Sequence, residues 1–368
     1  MTADFERPRR VLMTVDAVGG VWRYAMDVGC GLRAEGVDIV YAGFGPRPDT
    51  DMVREAEENG ELHWFDAPLD WLADGESELA AIPGMIAGLA EARHVDLLHL
   101  NLPSQAARLE TDLPVVVATH SCVATWFATM RGTLPPPEWA WHEELTLRGF
   151  EAADVVIAPS RSHADLLTYC YGIRDFEIVP YASRHVPRSW EKKPYALAVS
   201  RWWDQGKNGR ILDEAAARSD LAIIAVGPSA GPNGESMTFY NVDHRGQLPF
   251  AETMALLNDA GIFVSPSIYE PFGLGALEAA RSGSALVLSD TPTYRELWDD
   301  AALFADPGDA EGFGDAINRL AGDLRLRRSL ALRAQERSRQ FSLRHHVDVL
   351  FEVYGRARAR QSGLSAAI

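Results

Sequence analysis

Two carboxylates flank the predicted start of a helix in the stretch SPSIYEPFGLGALEAARSG, residues 265–283. Glu270 precedes a proline, a phenylalanine and a glycine, and Glu278 follows with seven residues between the two glutamates. A helix N-terminus exposes unpaired N–H groups and a partial positive charge, so it favours anions such as phosphate. Carboxylates repel a phosphate but accept hydrogen bonds from hydroxyl groups. The pattern therefore predicts a ligand that carries hydroxyls on both sides of a phosphate.

A nucleotide sugar has this composition, because its diphosphate joins a sugar to a ribose. Phe272, Gly273 and Leu274 open the predicted helix, and the glycine lets a ligand approach the backbone closely. Glu278 lies about one turn further along. A plainer alternative is a surface glutamate together with a helix glutamate that pairs with Arg281.

A diphosphate needs cations, and the stretch VSRWWDQGKNG supplies two of them. Arg201 comes just after a predicted strand, and Lys207 comes just before the next predicted helix. Arginine offers phosphate a planar fork of donors, and lysine offers a mobile point charge. Two cations near one strand end are also common on ordinary protein surfaces. Alone they are weak evidence for a phosphate site, and the nearby glutamate pattern strengthens that interpretation.

The first half of the chain contributes two weaker candidates. Gly19 and Gly20 lie between a predicted strand and helix, where glycines let phosphate or sugar approach the backbone. They do not form the dinucleotide fingerprint Gly-x-Gly-x-x-Gly, and an ordinary turn explains them equally well. His120 ends the predicted strand LPVVVATH, where a histidine can serve either structure or chemistry. His99 is expected to be a packed residue.

Short apolar runs alternate with amphipathic segments throughout the chain, which indicates α/β architecture with parallel βαβ units. The charged, proline-bearing stretch 184–194 is a predicted linker, after which the alternation restarts. We therefore predict two Rossmann-like, doubly wound domains facing a cleft, with ligands outside the carboxyl ends of the strands. The predicted strands are 11–16, 37–44, 95–101, 113–120, 153–160, 176–183, 195–200, 221–227, 237–243, 261–267 and 284–290.

Composition narrows the classes of function. The chain of 368 residues has a net charge of −17, which argues against nucleic-acid binding and against simple electrostatic docking on an anionic membrane. The cysteines at 30, 122 and 170 are far apart, which favours reduced thiols over disulfides or a zinc site. No signal peptide or transmembrane segment is predicted, so we expect a cytoplasmic protein, with peripheral contact at the inner membrane face left open.

Together these motifs resemble glycosyltransferase family 4, the retaining nucleotide-sugar-dependent transferases of the GT-B fold. The resemblance is strongest over residues 195–320, where VSRWWDQGKN, AVG, the glutamate-flanked stretch and ELWDDAALFADPGD keep the family's order and spacing. It is thinner in GGVWRYAMDVGCGLRAEG, VVVATHS and ADVVIAPSRSHADLL. It implies domains at 1–186 and 187–345, and a C-terminal helix, 346–368, that crosses back to the first domain.

The resemblance also implies roles for the candidate residues. Glu270 would hold hydroxyls of the transferred sugar, and Glu278 those of the ribose. Arg201 and Lys207 would neutralise the diphosphate, helped by the backbone amides of Phe272, Gly273 and Leu274. Gly19 and Gly20 would lie against the phosphates and the acceptor, and His120 near the anomeric carbon. The family needs no metal and no cofactor beyond its donor substrate, a nucleotide-diphosphate sugar; its other substrate is a hydroxyl acceptor.

Some features depart from the family or stay open. PYASRH at 180–185 stands where the family has an asparagine-glycine turn, and Thr291-Pro292 stands where small glycines are frequent. The aromatic segment 122–144 is either an acceptor lid or an ordinary packed helix and loop. The stretch 245–248 is a candidate base pocket, although the base, the sugar and the acceptor are not readable. A non-catalytic nucleotide-sugar-binding protein and a GT-B-fold nucleotide-sugar epimerase are the alternative functions.

Overall fold

A computed structural model of the protein describes residues 7–187 and 191–363. The chain forms two compact units, one of Met1–Ala182 with Leu343–Ile368 and one of Ser183–Ser342. Each unit contains one sheet in which every strand pair is parallel, as the alternating apolar runs predict. The structure thus divides the chain after Ala182 and Ser342, whereas the sequence places these boundaries at 186 and 345.

The first unit is built on a seven-stranded sheet with the order β3-β2-β1-β4-β5-β6-β7. Its central strands are almost completely buried, as expected for a parallel sheet covered by helices on both faces. The strands are β1 (Arg10–Asp16), β2 (Asp38–Phe44), β3 (Glu61–Trp64), β4 (Leu97–Leu100), β5 (Val115–Ala118), β6 (Val155–Ala158) and β7 (Phe176–Ile178).

The helices of the first unit begin and end at residues suited to those positions. The hydroxyl of Ser160 accepts a hydrogen bond from the N–H of His163 at 3.1 Å and so caps a helix that ends before Gly172, at a φ of 74°. The α-helices are α1 (Gly20–Ala34), α2 (Thr50–Asn59), α3 (Ile82–Ala92), α4 (Val123–Arg131), α5 (Ala140–Ala152) and α6 (Arg161–Tyr171).

The second unit is built on a six-stranded sheet with the order β10-β9-β8-β11-β12-β13. The strands are β8 (Lys193–Val199), β9 (Ile223–Val226), β10 (Asp243–His244), β11 (Ala260–Ser265), β12 (Ala285–Ser289) and β13 (Ala302–Ala305). Its α-helices are α7 (Gly209–Ala216), α8 (Phe250–Asp259), α9 (Leu274–Arg281), α10 (Pro292–Trp298), α11 (Ala310–Gly322) and α12 (Leu324–Ser338).

The last helix, α13 (Leu343–Gln361), belongs to the first unit, which confirms that the C-terminal helix returns there. It packs closely on α1, since a methyl group added at Gly31 would lie 2.6 Å from Val347. The hydroxyl of Tyr354 lies 2.8 Å from Nδ1 of His99 on β4, which ties the helix to the sheet. His99 is fully buried, as the sequence predicts.

One predicted strand is wrong. Residues 237–243 are apolar enough for a strand, but only Asp243 joins the ladder, in β10. The carboxylate of Asp213 on α7 instead accepts the backbone N–H groups of Tyr240, Asn241 and Val242 at 2.8–3.2 Å. These N–H groups therefore have a side-chain partner, and the segment is a loop anchored on α7.

The predicted linker is partly anchored in the second unit. His185 is buried, its Nε2 lies 2.9 Å from the hydroxyl of Ser282, and its carbonyl accepts a hydrogen bond from Nε of Arg281 at 3.0 Å. Lys193 already belongs to β8. Residues 188–190 of this stretch lie outside the described residues.

Candidate functional site

The loops that follow β8 and β11 are fastened to each other in the second unit. These strands are neighbours in the sheet, so their carboxyl ends open at the same edge. The carbonyl of Gly206 accepts the backbone N–H of Ile268 at 2.8 Å. The side-chain amide of Asn208 donates to the carbonyls of Pro266 at 3.0 Å and Pro307 at 2.7 Å, which brings in the loop after β13. The candidate residues on these loops therefore stand on a fixed frame.

Lys207 and Glu270, predicted from separate motifs, form an ion pair across this frame. Nζ of Lys207 lies 2.7 Å from Oε2 of Glu270, and the two side chains are 12% and 17% exposed. An ammonium has three donors, so Lys207 can keep this contact and still donate to a phosphate oxygen. The pair also holds the Glu270 carboxylate in place beside the predicted phosphate position.

Arg201 is held at the exit of β8 by its neighbours in sequence. Trp202 points inward, where its indole N–H donates to the carbonyl of Val226 at 3.0 Å. Arg201 and Trp203 flank this buried residue, and the guanidinium carbon lies 5.3 Å from the centroid of the Trp203 ring. Nη2 of Arg201 lies 3.4 Å from the Asp204 carboxylate, which also accepts the N–H of Gly206 at 2.9 Å. The Arg201 side chain is 29% exposed and so accessible to a ligand.

Gly273 sits immediately before the first residue of α9, as the sequence predicts. Its φ of 93° lies in the left-handed region that favours glycine, and a methyl group there would lie 2.8 Å from Cε1 of Tyr294. A glycine has no side chain to cap the helix, so the first N–H groups of α9, starting at Leu274, can receive an anion. Phe272 is 1% exposed and packs on Phe341, so its backbone alone can contact a ligand.

Glu278 lies in the same helix, one turn beyond Leu274, and is 6% exposed. A buried carboxylate requires hydrogen-bond donors to offset the free-energy cost of its desolvation. The structure thus places Glu270, Gly273, Leu274 and Glu278 along one continuous loop and helix start. Glu270 contacts Lys207, while Arg201 contacts Asp204 and Trp203.

The candidate base stretch lies at the outer edge of this sheet. Gly227, at the end of β9, has a φ of 121°, and a methyl group there would lie 1.9 Å from the Ser200 carbonyl oxygen. Its N–H donates to the carbonyl of Gly246 at 2.8 Å, and its carbonyl lies 2.8 Å from Nε2 of His244. Arg245 pairs with Asp243 at the surface. The loop that leads into this stretch is the one whose backbone N–H groups donate to the carboxylate of Asp213, a contact that we call the Asp213 anchor.

In the first unit, Gly19 and Gly20 stand where β1 passes into α1. Gly20 begins α1 and is exposed, and the Gly19 carbonyl accepts the N–H of Trp22 at 3.2 Å. Gly19 itself is extended, with a φ of −163°. The exposed helix start is compatible with a ligand close to the backbone.

His120 lies just past β5 in a network of buried polar groups. Its Nε2 lies 2.8 Å from Oδ1 of Asn101, whose Nδ2 donates to the Thr14 carbonyl at 2.5 Å. Nε2 is therefore the donor, and Nδ1 is left to accept from the hydroxyl of Tyr181. Burial lowers the pKa of His120 to about 3. The histidine is therefore neutral near pH 7, with both ring nitrogens engaged in the first unit.

Three residues that contact the candidate site residues or their loops were not identified from the sequence: Asn101, Asn208 and Tyr294. Asn101 follows β4 directly, and Asn208 follows Lys207, so a polar residue just past a strand or motif is the available signal. Asn208 also has a φ of 60°, a conformation that asparagine tolerates better than most residues. Tyr294 lies in the stretch that departs from the family pattern.

The aromatic segment 122–144 folds as α4, a 3₁₀ turn and the start of α5. Trp141 packs against the core of the first unit, and the rings of Trp139 and Trp141 lie 6.3 Å apart. Trp126 is partly exposed, and the Arg131 guanidinium carbon lies 4.9 Å from its ring centroid. Part of the segment is therefore an ordinary packed element.

Across residues 7–187 and 191–363, no group of three or more His, Cys, Asp or Glu side chains could hold a metal ion. Among the helices of the same ranges, none combines the length and apolar character that crossing a membrane requires.

The two all-parallel sheets with flanking helices define the GT-B class of fold. A sucrose-phosphate synthase from Thermosynechococcus elongatus has the same architecture, with a TM-score of 0.76 at 17% identity over 97% of this chain and 100% of that one. The Anabaena protein HepE, solved in complex with UDP and glucose, gives a TM-score of 0.72 at 16% identity over 94% of this chain and 99% of that one. These likenesses establish the fold.

The sequence comparisons give the family. The profile described as Glycosyltransferase Family 4 matches residues 18–181, and that described as Glycosyl transferases group 1 matches residues 238–337. The chain belongs to glycosyltransferase family 4. A curated relative is the N,N'-diacetylbacillosaminyl-diphospho-undecaprenol alpha-1,3-N-acetylgalactosaminyltransferase of Campylobacter jejuni, 30% identical over 159 residues, which are 41% of this chain and 42% of the relative. The chain thus spans less than half the length of this relative.

Proposed function

We propose that the protein transfers a sugar from a nucleoside-diphosphate sugar to a hydroxyl group of an acceptor. The observation that carries this proposal is the Lys207–Glu270 ion pair beside the helix start at Gly273. It combines a cation, a carboxylate that can accept hydrogen bonds from hydroxyls, and backbone N–H groups at a helix start. The loops that carry these groups are hydrogen-bonded to each other. Family membership supports the proposal, as does the UDP and glucose bound to the similarly folded Anabaena protein.

The donor's diphosphate is assigned to the start of α9. The backbone N–H groups of Phe272, Gly273 and Leu274 donate hydrogen bonds to phosphate oxygens, and Lys207 and Arg201 offset the negative charge of the diphosphate. The carboxylate of Glu270 then accepts hydroxyls of the transferred sugar. Glu278, one turn further along α9, accepts the ribose hydroxyls.

The acceptor side is assigned to the first unit. The exposed α1 start at Gly20, next to Gly19, lets an acceptor or phosphate approach the backbone. His120 contributes as a neutral group that is oriented by Asn101 and Tyr181, since its lowered pKa keeps it unprotonated.

We infer that the transfer retains the anomeric configuration. In a front-face mechanism the acceptor oxygen forms its bond to the anomeric carbon on the side from which the diphosphate leaves. The acceptor's proton passes to the departing phosphate oxygen. The protein then acts by orienting both substrates and by stabilising the diphosphate through Lys207, Arg201 and the helix start, with no metal required.

A donor screen followed by a product assay tests this function. UDP-, GDP- and ADP-linked hexoses are ranked by the thermal shift that they produce, since a ligand of the native state raises its stability. The best donor is then incubated with glycan, lipid-linked and small-molecule acceptors, and NMR gives the anomeric configuration of the product. We expect acceptor-dependent release of the nucleoside diphosphate and a retained configuration.

The same assay separates the alternatives. Binding without release over the whole acceptor panel would favour a non-catalytic binding protein. Conversion of the donor sugar to its epimer without an acceptor would favour an epimerase. An inverted product would contradict the retaining mechanism while leaving the transferase assignment in place.

A further inference from the structure

Tyr294 lies against the proposed phosphate site, although its stretch departs from the family pattern. It belongs to α10, which follows β12, the neighbour of β11 in the sheet. The side chain is 1% exposed, and its hydroxyl oxygen lies 2.6 Å from Oγ of Ser265, the last residue of β11. Ser265 Oγ in turn lies 3.2 Å from Oγ of Ser267. The tyrosine is thus buried, with its hydroxyl held at the end of β11.

The ring fills the space that a side chain at position 273 would need. A methyl group added at Gly273 would lie 2.8 Å from Cε1 and 3.3 Å from the hydroxyl oxygen of Tyr294, and 3.5 Å from Cγ of Glu270. The ring and the Glu270 side chain therefore both border the turn before α9. The φ of Gly273, 93°, lies in the left-handed region that favours glycine, so both the backbone conformation and the ring disfavour a side chain at this position.

The hydroxyl stays protonated in this environment. Burial, and then the negative charge of Glu270, raise the pKa of Tyr294. A neutral phenol can donate to Ser265 without adding a negative charge next to a phosphate site. The tyrosine therefore supports the turn without repelling an anion.

We propose that Tyr294 is a positioning residue for the donor's diphosphate, acting through its ring contact with Gly273 and its hydroxyl bond to Ser265. This inference rests on the proposed function, because it assumes that the turn before α9 receives the diphosphate. Tyr294 holds the turn in the conformation that aims the N–H groups of Gly273 and Leu274 at the phosphates.

The test compares nucleoside diphosphates with monophosphates, because a loss of general stability would affect both alike. Calorimetric titration measures the affinities of UDP, GDP and ADP, and of UMP, GMP and AMP, for wild type, Tyr294→Leu and Tyr294→Phe. Circular dichroism and thermal melting check that each variant is folded. Tyr169→Leu, on an exposed tyrosine of α6 in the first unit, is the matched control.

We expect the diphosphate of the preferred base to bind Tyr294→Leu about 10-fold more weakly than wild type, and Tyr294→Phe about 3-fold more weakly. The affinity of the tyrosine variants for the monophosphate should change less than 2-fold. In Tyr169→Leu the affinities for both nucleotides should change less than 2-fold. A Gly273→Ala/Tyr294→Leu double variant should lose less affinity than the two single losses combined, because the clash with the ring is gone.

An unchanged ratio of diphosphate to monophosphate affinity in both tyrosine variants would overturn the inference and leave the proposed function standing. If Tyr294→Leu does not fold, the ratio in Tyr294→Phe decides alone, and no change there overturns the inference. Wild-type protein that binds none of the three diphosphates would instead contradict the proposed function, and the inference with it.

Discussion

The ammonium of Lys207 lies 2.7 Å from the carboxylate of Glu270, although the two residues are 63 positions apart in the sequence. The contact joins the loops after the adjacent strands β8 and β11, and both side chains are largely buried. A partly buried ion pair is costly to break from one side, because the remaining charge loses its partner. The pair therefore has two roles: it joins the two loops of the site, and it holds the two charged groups that we assign to donor binding.

Replacing either member of this pair should remove most of the activity. In Lys207→Ala and in Glu270→Ala we expect turnover to fall about 10²- to 10³-fold, because each variant loses a charge that we assign to the departing diphosphate or to the sugar. Initial rates of nucleoside diphosphate release measure this effect. Lys193→Ala is the control, because Lys193 forms a similar pair with Asp259 at 2.6 Å but is 65% exposed. Near-wild-type rates in both site variants would contradict the assigned roles.

A methyl group at Gly273 should destabilise the second unit. Gly273→Ala combines a φ of 93° with a 2.8 Å approach to the Tyr294 ring, so we expect the free energy of unfolding to fall by about 1–3 kcal/mol. Urea unfolding measures the difference. In Gly322→Ala, at an exposed position on α11 with nothing within 4 Å of the added carbon, the same measurement should show little change or a small gain. Equal behaviour of the two variants would refute the steric argument.

The Asp213 anchor should matter for stability more than its helical position suggests. Asp213→Ala leaves the N–H groups of the 240–242 loop without their carboxylate, and we expect a loss of about 3 kcal/mol. The exposed Asp315 on α11 supplies the control Asp315→Ala, which should change stability by less than about 0.5 kcal/mol. Amide hydrogen exchange should show faster exchange at Tyr240, Asn241 and Val242 in Asp213→Ala. Unaltered protection there would rule out the anchor.

The first unit should lose stability as the pH falls from about 6.5 towards 4. Burial lowers the pKa of His99, His120 and His163 to about 3 and that of His346 to about 4. Below pH 6.5 the unfolded histidines bind protons while the folded ones stay neutral, so the free energy of unfolding decreases as the pH falls. Each histidine contributes up to about 1.4 kcal/mol per pH unit in this window.

Urea unfolding at pH 7.5, 6.5, 5.5 and 5.0, followed through signals of the first unit, measures this slope before most carboxylates titrate. His346→Gln should reduce the slope. His94→Asn, at an exposed histidine with a φ of 51°, should leave it unchanged. Stability that is constant from pH 7.5 to 5.0 would show that these histidines are not held neutral.

The fold was largely predictable because buried parallel strands carry continuous apolar runs that are easily recognised. The exceptions have local causes. The strands β3 (Glu61–Trp64) and β13 (Ala302–Ala305) were missed, because each is only four residues long and only partly buried. The 237–243 stretch was predicted as a strand because its apolar residues do not reveal that Asp213, far away in the sequence, takes its backbone N–H groups.

The site was predictable where one motif carries its own geometry. The glutamates and the glycine before α9 could be placed from a single stretch, since a strand end, a turn and a helix start follow in order. The Lys207–Glu270 contact, the Asn101 bridge to His120 and the Tyr294 ring against Gly273 could not be placed. Each depends on which strands are neighbours, and the sequence order of the strands does not give that adjacency.

The central claim is that a donor diphosphate binds at the start of α9, and a crystal structure with the preferred nucleoside diphosphate tests it most directly. The account predicts phosphate oxygens within about 3 Å of the backbone N–H groups of Gly273 and Leu274, with Nζ of Lys207 donating to one of them. Density for the diphosphate at any other place on the chain, or none at a saturating concentration, would contradict it.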